Sequence, residues 1–170
     1  VDTVRRHPAM LAQASLTIDH LSKGRFILGV GSGETENTVP YGFEFSKPVS
    51  RFEEALKVIK LLWESEGTID FEGQFFRLEH ARMDTDLYDG KCPRIWVGCS
   101  GPRMLDIAGR YADGWWPSGA CVTPSARAKA TRLMVVLLIR TGSGGCSAMR
   151  AAKARAASSA WPSSTTCSTR

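Results

Sequence analysis

Along the first 117 residues the apolar positions change period several times, from helical spacing to short unbroken runs and back. From Pro8 to Leu21, the residues Met10, Leu11, Ala14, Ile18 and Leu21 fall on one helical face. Pro8 suits the first turn, where its missing N–H is not needed, and Lys23-Gly24 supplies a stop. Arg25 to Val30 is almost continuously apolar, as in a strand buried on both faces. Ser50 to Glu66 returns to helical spacing, with Phe52, Leu56, Ile59 and Leu62/Trp63 as the core stripe and Ser50/Glu53 at capping-box spacing. Ile69 to Leu78 alternates around Glu72-Gly73 and predicts a hairpin. Arg94 to Gly98 predicts a second buried strand, Pro102 to Tyr111 a helix with Met104, Leu105, Ala108 and Tyr111 inward, and Ala112 to Pro117 a third strand.

Strands alternating with helices predict an α/β fold with a parallel sheet. Ligands of such sheets sit beyond the carboxyl ends of the strands. All three predicted ends run into small polar loops, at Gly31-Ser32-Gly33-Glu34, Ser100-Gly101 and Ser118-Gly119. Short loops rich in glycine and serine let backbone N–H groups approach a ligand closely. Each loop alone also reads as a plain tight β-α turn; three together favour a binding site.

The composition changes at residue 120. Residues 1–120 hold 14 Lys/Arg and 17 Asp/Glu, whereas 121–170 hold 8 Lys/Arg and no acid, so the net charge of +5 comes from the C-terminal part. Residues 121–170 also lack His, Asn, Gln, Phe and Tyr. This predicts two segments, 1–120 and a low-complexity basic tail at 121–170 that packs into no fold. Two origins fit the tail: a solvated basic extension, or out-of-frame translation of a GC-rich gene. The joint loss of amino acids whose codons carry a central A favours the second. A third reading, a nucleic-acid-binding tail, has scattered charges and only Trp161 to stack on a base. Gly142-Ser-Gly-Gly145 lacks the Lys-Ser/Thr of a phosphate loop. The longest apolar run, Leu133 to Ile139, is far shorter than the roughly 20 residues of a membrane span. Cys92, Cys99, Cys121, Cys146 and Cys167 show neither a disulfide framework nor a metal-ligand spacing. With no leader-like start at Val1, a cytoplasmic location and no metal are expected.

Several strings are similar to the bacterial-luciferase-like superfamily: Arg6-His-Pro-Ala-Met-Leu-Ala-Gln13, Asp19 to Glu34, Arg51-Phe-Glu-Glu-Ala55, Leu61-Leu-Trp63 and Ala108 to Trp115. Their order is preserved over about residues 1–120. Within that superfamily, Gly29-Val-Gly-Ser-Gly-Glu-x-x-Asn37 resembles the branch using the deazaflavin coenzyme F420. The general likeness is to mycobacterial ketoreductases of phthiodiolone and phenolphthiodiolone dimycocerosates.

The resemblance implies a (β/α)8 barrel with the coenzyme at its carboxyl-end mouth, of which this chain supplies about strands four to six. Val1 to Val4 would be the stub of the third. It implies coenzyme contacts from Ser32, Gly33 and Asn37, and from Ser100, Gly101, Arg103 and Met104. Glu34 would be the acid that protonates the ketone oxygen, provided that burial raises its pKa. His7, His20 and His80 read as capping or surface residues, and Trp115-Trp116 as barrel filling. A partial barrel leaves sheet edges unpaired and the pocket wet. The leading expectation is therefore an inactive, truncated remnant of an F420-dependent ketoreductase that does not bind the coenzyme, with a long-chain keto-lipid as the intact family's substrate and no nucleic-acid partner. The alternatives are an active F420- or FMN-dependent subunit whose barrel is completed by another chain, and a basic interaction protein that binds nucleic acid through its tail.

Overall fold

The computed structural model describes residues 1–117. The third strand-end loop, Ser118-Gly119, and every expectation about residues 121–170 lie outside the described residues. Eight elements follow one another: α1 (Pro8–Ser22), β1 (Ile27–Val30), α2 (Pro48–Glu64), β2 (Ile69–Glu72), β3 (Arg77–Ala81), β4 (Arg94–Cys99), α3 (Pro102–Tyr111) and β5 (Gly114–Pro117). Strands β1, β4 and β5 form a parallel sheet in the order β1-β4-β5, and β2 and β3 form a separate antiparallel hairpin. The architecture is α/β, a segment of a (β/α) barrel. At the outer edge of β1, Asp2 makes a parallel bridge to Gly31, so Val1 and Asp2 run where a further strand would lie before the chain turns away at Thr3.

One face of the sheet is the core. Leu28, Val30, Ile95, Val97 and Cys99 pack against Leu56, Ile59, Met104, Ile107 and Ala108 of the helices. The other face carries Gly29, Trp96, Gly98 and Trp116, none of them buried. The expected two-sided burial of β1 and β4 is therefore corrected: among the described residues burial alternates along each strand. A long apolar run fits a strand covered on both sides, and here one cover is not among the described residues.

The buried face of α1 also differs from the expected stripe. Pro8, Leu11, Ala12, Ser15, Leu16 and Asp19 face inward, while Met10 is 61% and Leu21 79% exposed, with Ala14 and Ile18 on the same outer side. Two polar residues sit on the buried face because each has a partner. Ser15 Oγ donates to the Leu11 carbonyl (2.6 Å), and the Asp19 carboxylate accepts the Phe26 N–H (3.2 Å). Small Ala12 lets α2 approach, and the Trp63 indole N–H donates to the Ala12 carbonyl at 3.1 Å. Counting apolar positions alone misses a stripe whose polar members are satisfied.

Helix α2 begins two residues before the expected Ser50. Pro48 stands at its first position with Lys47 in the left-handed region (φ 44°). A proline there is already set for helix, so the Ser50/Glu53 capping box does not form. Both side chains turn instead to α3: Ser50 Oγ accepts from Arg103 (2.8 Å), and Glu53 pairs with Arg110 (3.1 Å). The core stripe of α2 is as expected. The hairpin link is residues 73–76, and the N–H groups of Gln74, Phe75 and Phe76 all donate to the Glu54 carboxylate at 3.0, 2.9 and 2.8 Å. Among the described residues, no helix is long and apolar enough to cross a membrane.

Candidate functional site

The carboxyl ends of β1 and β4 open onto a cavity of about 480 Å³. Its walls come from both strand ends and from the segment preceding α1: Asp2 and Arg5, Gly31 to Glu34 with Asn37, and Gly98, Cys99, Ser100 and Met104. Of the residues expected at a site, the fold gathers Ser32, Gly33, Glu34, Asn37, Ser100 and Met104 around this one space. Gly101 stands just outside the lining, where its φ of +98° makes the turn into α3. Arg103 is not brought to the cavity. Its guanidinium lies toward α2, on Ser50 Oγ and 3.9 Å from Glu53. It sits one position before Met104 on the helix, and helical geometry turns neighbouring side chains about 100° apart.

The glycines separate into two kinds. Gly33 is required by the fold: its φ is +84°, and a Cβ there would stand 3.3 Å from Val4 and 3.5 Å from both Asp2 and Phe45. Gly29 and Gly98 have neither a positive φ nor any neighbour within 4 Å of a Cβ. Among the described residues, nothing in backbone or packing demands glycine at these two positions. They leave two side-chain-free positions on the inner face, in register beside Trp96 and Trp116, and of the two Gly98 lines the cavity.

Glu34 is exposed, and its Oε2 accepts a hydrogen bond from Asn37 Nδ2 at 3.0 Å. The described residues do not supply the burial that its expected acid role calls for. They do supply orientation. Thr38, fully buried, anchors the turn by donating from Oγ1 to the Glu34 carbonyl at 2.8 Å. Cys99 is buried at the end of β4; burial pushes its thiol up to about 11. Its carbonyl accepts the Trp115 indole N–H at 2.8 Å.

Asp2 and Arg5 were not singled out in the sequence. Arg5 Nε and a terminal nitrogen both reach Asp2 Oδ2, at 2.8 and 2.7 Å, while Asp2 Oδ1 accepts the N–H groups of Val4 and Arg5. Burial pushes the Asp2 carboxyl up, but the hydrogen bonds and charge of Arg5 outweigh it, and the group lies below its ordinary value. The acid-x-x-base spacing was the available signal, although it is equally common on helix surfaces.

The three histidines lie outside the lining. His7 caps α1, its Nδ1 accepting the Ala9 N–H (3.2 Å), and its ring meets Phe76 edge-on. His20 Nε2 is 2.8 Å from the Asp86 carbonyl, and His80 is exposed beside Asp70. Among the described residues, no group of three or more His, Cys, Asp or Glu is placed to hold a metal.

Over 120 residues the chain is 51% identical to the phthiodiolone/phenolphthiodiolone dimycocerosates ketoreductase of Mycobacterium sp. (strain JLS), covering 70% of this chain and 32% of that one. It is 38% identical over 118 residues to an F420-dependent glucose-6-phosphate dehydrogenase of Nakamurella multipartita, covering 66% of this chain and 33% of the other. Among solved structures, an F420-dependent secondary alcohol dehydrogenase in complex with an F420-acetone adduct superposes with a TM-score of 0.66 at 28% identity, over 77% of this chain and 42% of that one. The chain spans about a third of the length of the curated relatives it matches. The family model for luciferase-like monooxygenases matches residues 1–135. With that match running through both cavity-lining strand ends, the chain belongs to the luciferase-like monooxygenase family.

Proposed function

We propose that residues 1–117 form the coenzyme-cradling part of an F420-dependent ketoreductase acting on long-chain keto-lipids of the dimycocerosate type. Gly98, a strand glycine in the cavity lining that neither backbone nor packing among the described residues requires, is the observation that carries this reading. A flat tricyclic ring would lie on its bare backbone, and the residues around it are of the right kind. The backbone of Ser32-Gly33 and Ser100 would hold its polar edge, and Met104 would pack against its face. The names of the more similar relatives, ketoreductase and F420-dependent dehydrogenase, favour F420 over FMN. When bound and reduced, F420 supplies a hydride to a carbonyl carbon.

The chain's own part is to orient and to move a proton. Glu34, oriented at the rim by Asn37, would donate a proton to the carbonyl oxygen once further parts of a barrel cover it, since the described residues leave it exposed. Arg5, ion-paired to Asp2, lines the same cavity beside Gly31 and Gly33.

The reading includes the expectation that this 170-residue chain does not turn over unaided. Trp116 lies open on the inner face and Trp96 half-buried beside Gly114, and hydride transfer to a ketone calls for a site that excludes water. The cytoplasmic location, and residues 121–170 as a separate basic segment, belong to the same proposal. The experiment is a titration of purified chain into oxidised F420, followed by its fluorescence, and then incubation of reduced F420 with a keto-lipid. The gathered lining leads us to replace the sequence's expectation of no coenzyme binding with saturable binding, still without coenzyme oxidation. Absence of binding, or sustained oxidation above background, refutes the corresponding half.

A further inference from the structure

The connection from β1 to α2 leaves the cavity at Glu34 and comes back beside it at Phe45, whose ring edge packs against Gly33. Between these points the chain makes a pinned excursion. Thr38 is fully buried, its hydroxyl donates to the Glu34 carbonyl (2.8 Å), and its own carbonyl accepts the N–H groups of Tyr41 (3.1 Å) and Phe43 (3.3 Å). Gly42, at φ +79°, reverses the chain between the two aromatic residues. The loop so held carries Val39, Pro40, Tyr41 and Phe43 in the solvent, with Val39 51%, Tyr41 69% and Phe43 41% exposed. An anchored loop that keeps its aliphatic and aromatic side chains out of the core presents an apolar surface for contact.

Resting on the ketoreductase reading, we infer that Val39, Pro40, Tyr41 and Phe43 form an apolar lip that receives the alkyl chain of the keto-lipid. The cavity volume, about 480 Å³, is that of a pocket for one drug-sized molecule. A space of this size does not enclose both a coenzyme ring and a long alkyl chain, so the chain would extend across the rim. Next to Gly31 and Gly33 the rim carries the Asp2–Arg5 ion pair, which is charged. Past Glu34, by contrast, the lining Gly31–Glu34 and Asn37 pass directly into the apolar run 39–43. The lip therefore sets the preference for chain length, whereas the cavity sets the chemistry at the carbonyl.

The test is calorimetric titration of the full chain with octan-2-one, decan-2-one and dodecan-2-one, run in parallel with the F420 fluorescence titration. Affinity should rise roughly four-fold per added methylene that finds apolar cover. In Tyr41→Ser/Phe43→Ser the rise should flatten, and dodecan-2-one affinity should fall about ten-fold or more, with F420 binding unchanged. Tyr41→Phe/Phe43→Leu should restore it. Met10→Ser/Leu21→Ser, which removes exposed apolar surface from α1, should leave the series as in the wild type. F420 bound normally, with the same chain-length series in wild type and Tyr41→Ser/Phe43→Ser, overturns the lip and spares the coenzyme site. No F420 binding by the wild type removes the underlying reading and the lip with it. An unchanged series together with a shift to monomer by light scattering shows that a second copy covers the loop, which also overturns the proposal.

Discussion

Removing the Glu54 carboxylate should unfasten the hairpin from α2. That one side chain accepts three backbone N–H groups, from Gln74, Phe75 and Phe76, within 2.8–3.0 Å. The Gln74 bond is exposed and the other two are partly buried, so water replaces only the first without cost. Leaving a buried donor unpaired costs about 1–3 kcal/mol, so Glu54→Ala should lose about 2–4 kcal/mol. Single domains have about 5–15 kcal/mol to lose, which makes the effect large. Glu54→Gln keeps one acceptor oxygen without the charge and should lose about half as much. The same contact explains Gly73. A Cβ there would lie 2.5 Å from Glu54 Cδ and 2.7 Å from the Phe71 ring, so Gly73→Ala must also push the carboxylate away. The two changes act on one interaction, and Glu54→Ala/Gly73→Ala should cost well under the sum of the singles. Urea melts followed by circular dichroism give the energies, and amide exchange at Phe75 and Phe76 locates them. A loss below about 0.5 kcal/mol for Glu54→Ala, or unchanged exchange at those two amides, refutes the reasoning. So does simple additivity of the pair.

Three further outcomes follow from the site. Gly98→Ala should leave stability unchanged or raise it by about 0.5–1 kcal/mol, because a strand glycine loses more entropy than alanine and its Cβ meets nothing within 4 Å; F420 affinity should nevertheless drop, as fluorescence titration reads directly. Acid should destabilise the domain in two steps. The His7 pKa is lowered by burial, so its contribution is present above the ordinary 6.5 and is lost as pH falls through the depressed folded value. Asp2, also held low, loses its contribution as pH falls below the ordinary 3.8, so Asp2→Asn should flatten the second step of a stability-versus-pH series. Cys99, with its thiol pushed up to about 11 and its side chain buried, should react with iodoacetamide at pH 7 far more slowly than a free thiol; modification at the free-thiol rate would contradict the packing.

The parts of this molecule legible in its sequence are those where one physical signal dominates. The bounds of the helix Pro102 to Tyr111 were readable because proline opens it, but of its expected inward residues only Met104 and Ala108 are buried; Leu105 and Tyr111 are half-buried, and Ile107 and Gly109 take the inner face instead. The gathering of Ser32, Gly33 and Ser100 followed from a rule of parallel sheets, which needs only the strand ends, whereas Asn37 was named only through the family resemblance. Where two signals compete, the pattern misleads. At α2, Ser50 and Glu53 have the spacing of a capping box, yet Pro48 starts the helix first, and the two side chains then serve contacts with α3 that no local string encodes. At α1 the most hydrophobic stripe is the outer one, because Ser15 and Asp19 obtain partners inside the fold and Met10 and Leu21 do not need any.

The case of α1 bears on the site itself. Its start, His7, is held by Phe76 of the hairpin link, and the Asp2–Arg5 pair that walls the cavity immediately precedes it. Glu54 fastens that link to α2. The wall of the cavity and the hairpin are thus joined through one aromatic contact, between residues far apart in sequence. Neither hydrophobic period nor a short motif spans such a distance, which is why Asp2 and Arg5 entered the site only once the chain was folded. If this linkage positions Arg5, then Phe76→Ala should weaken F420 binding although Phe76 lines no part of the cavity, and Glu54→Ala should weaken it by a similar factor under conditions where both proteins remain folded. F420 affinity untouched in both would mean that the wall is set by the Asp2–Gly31 bridge alone.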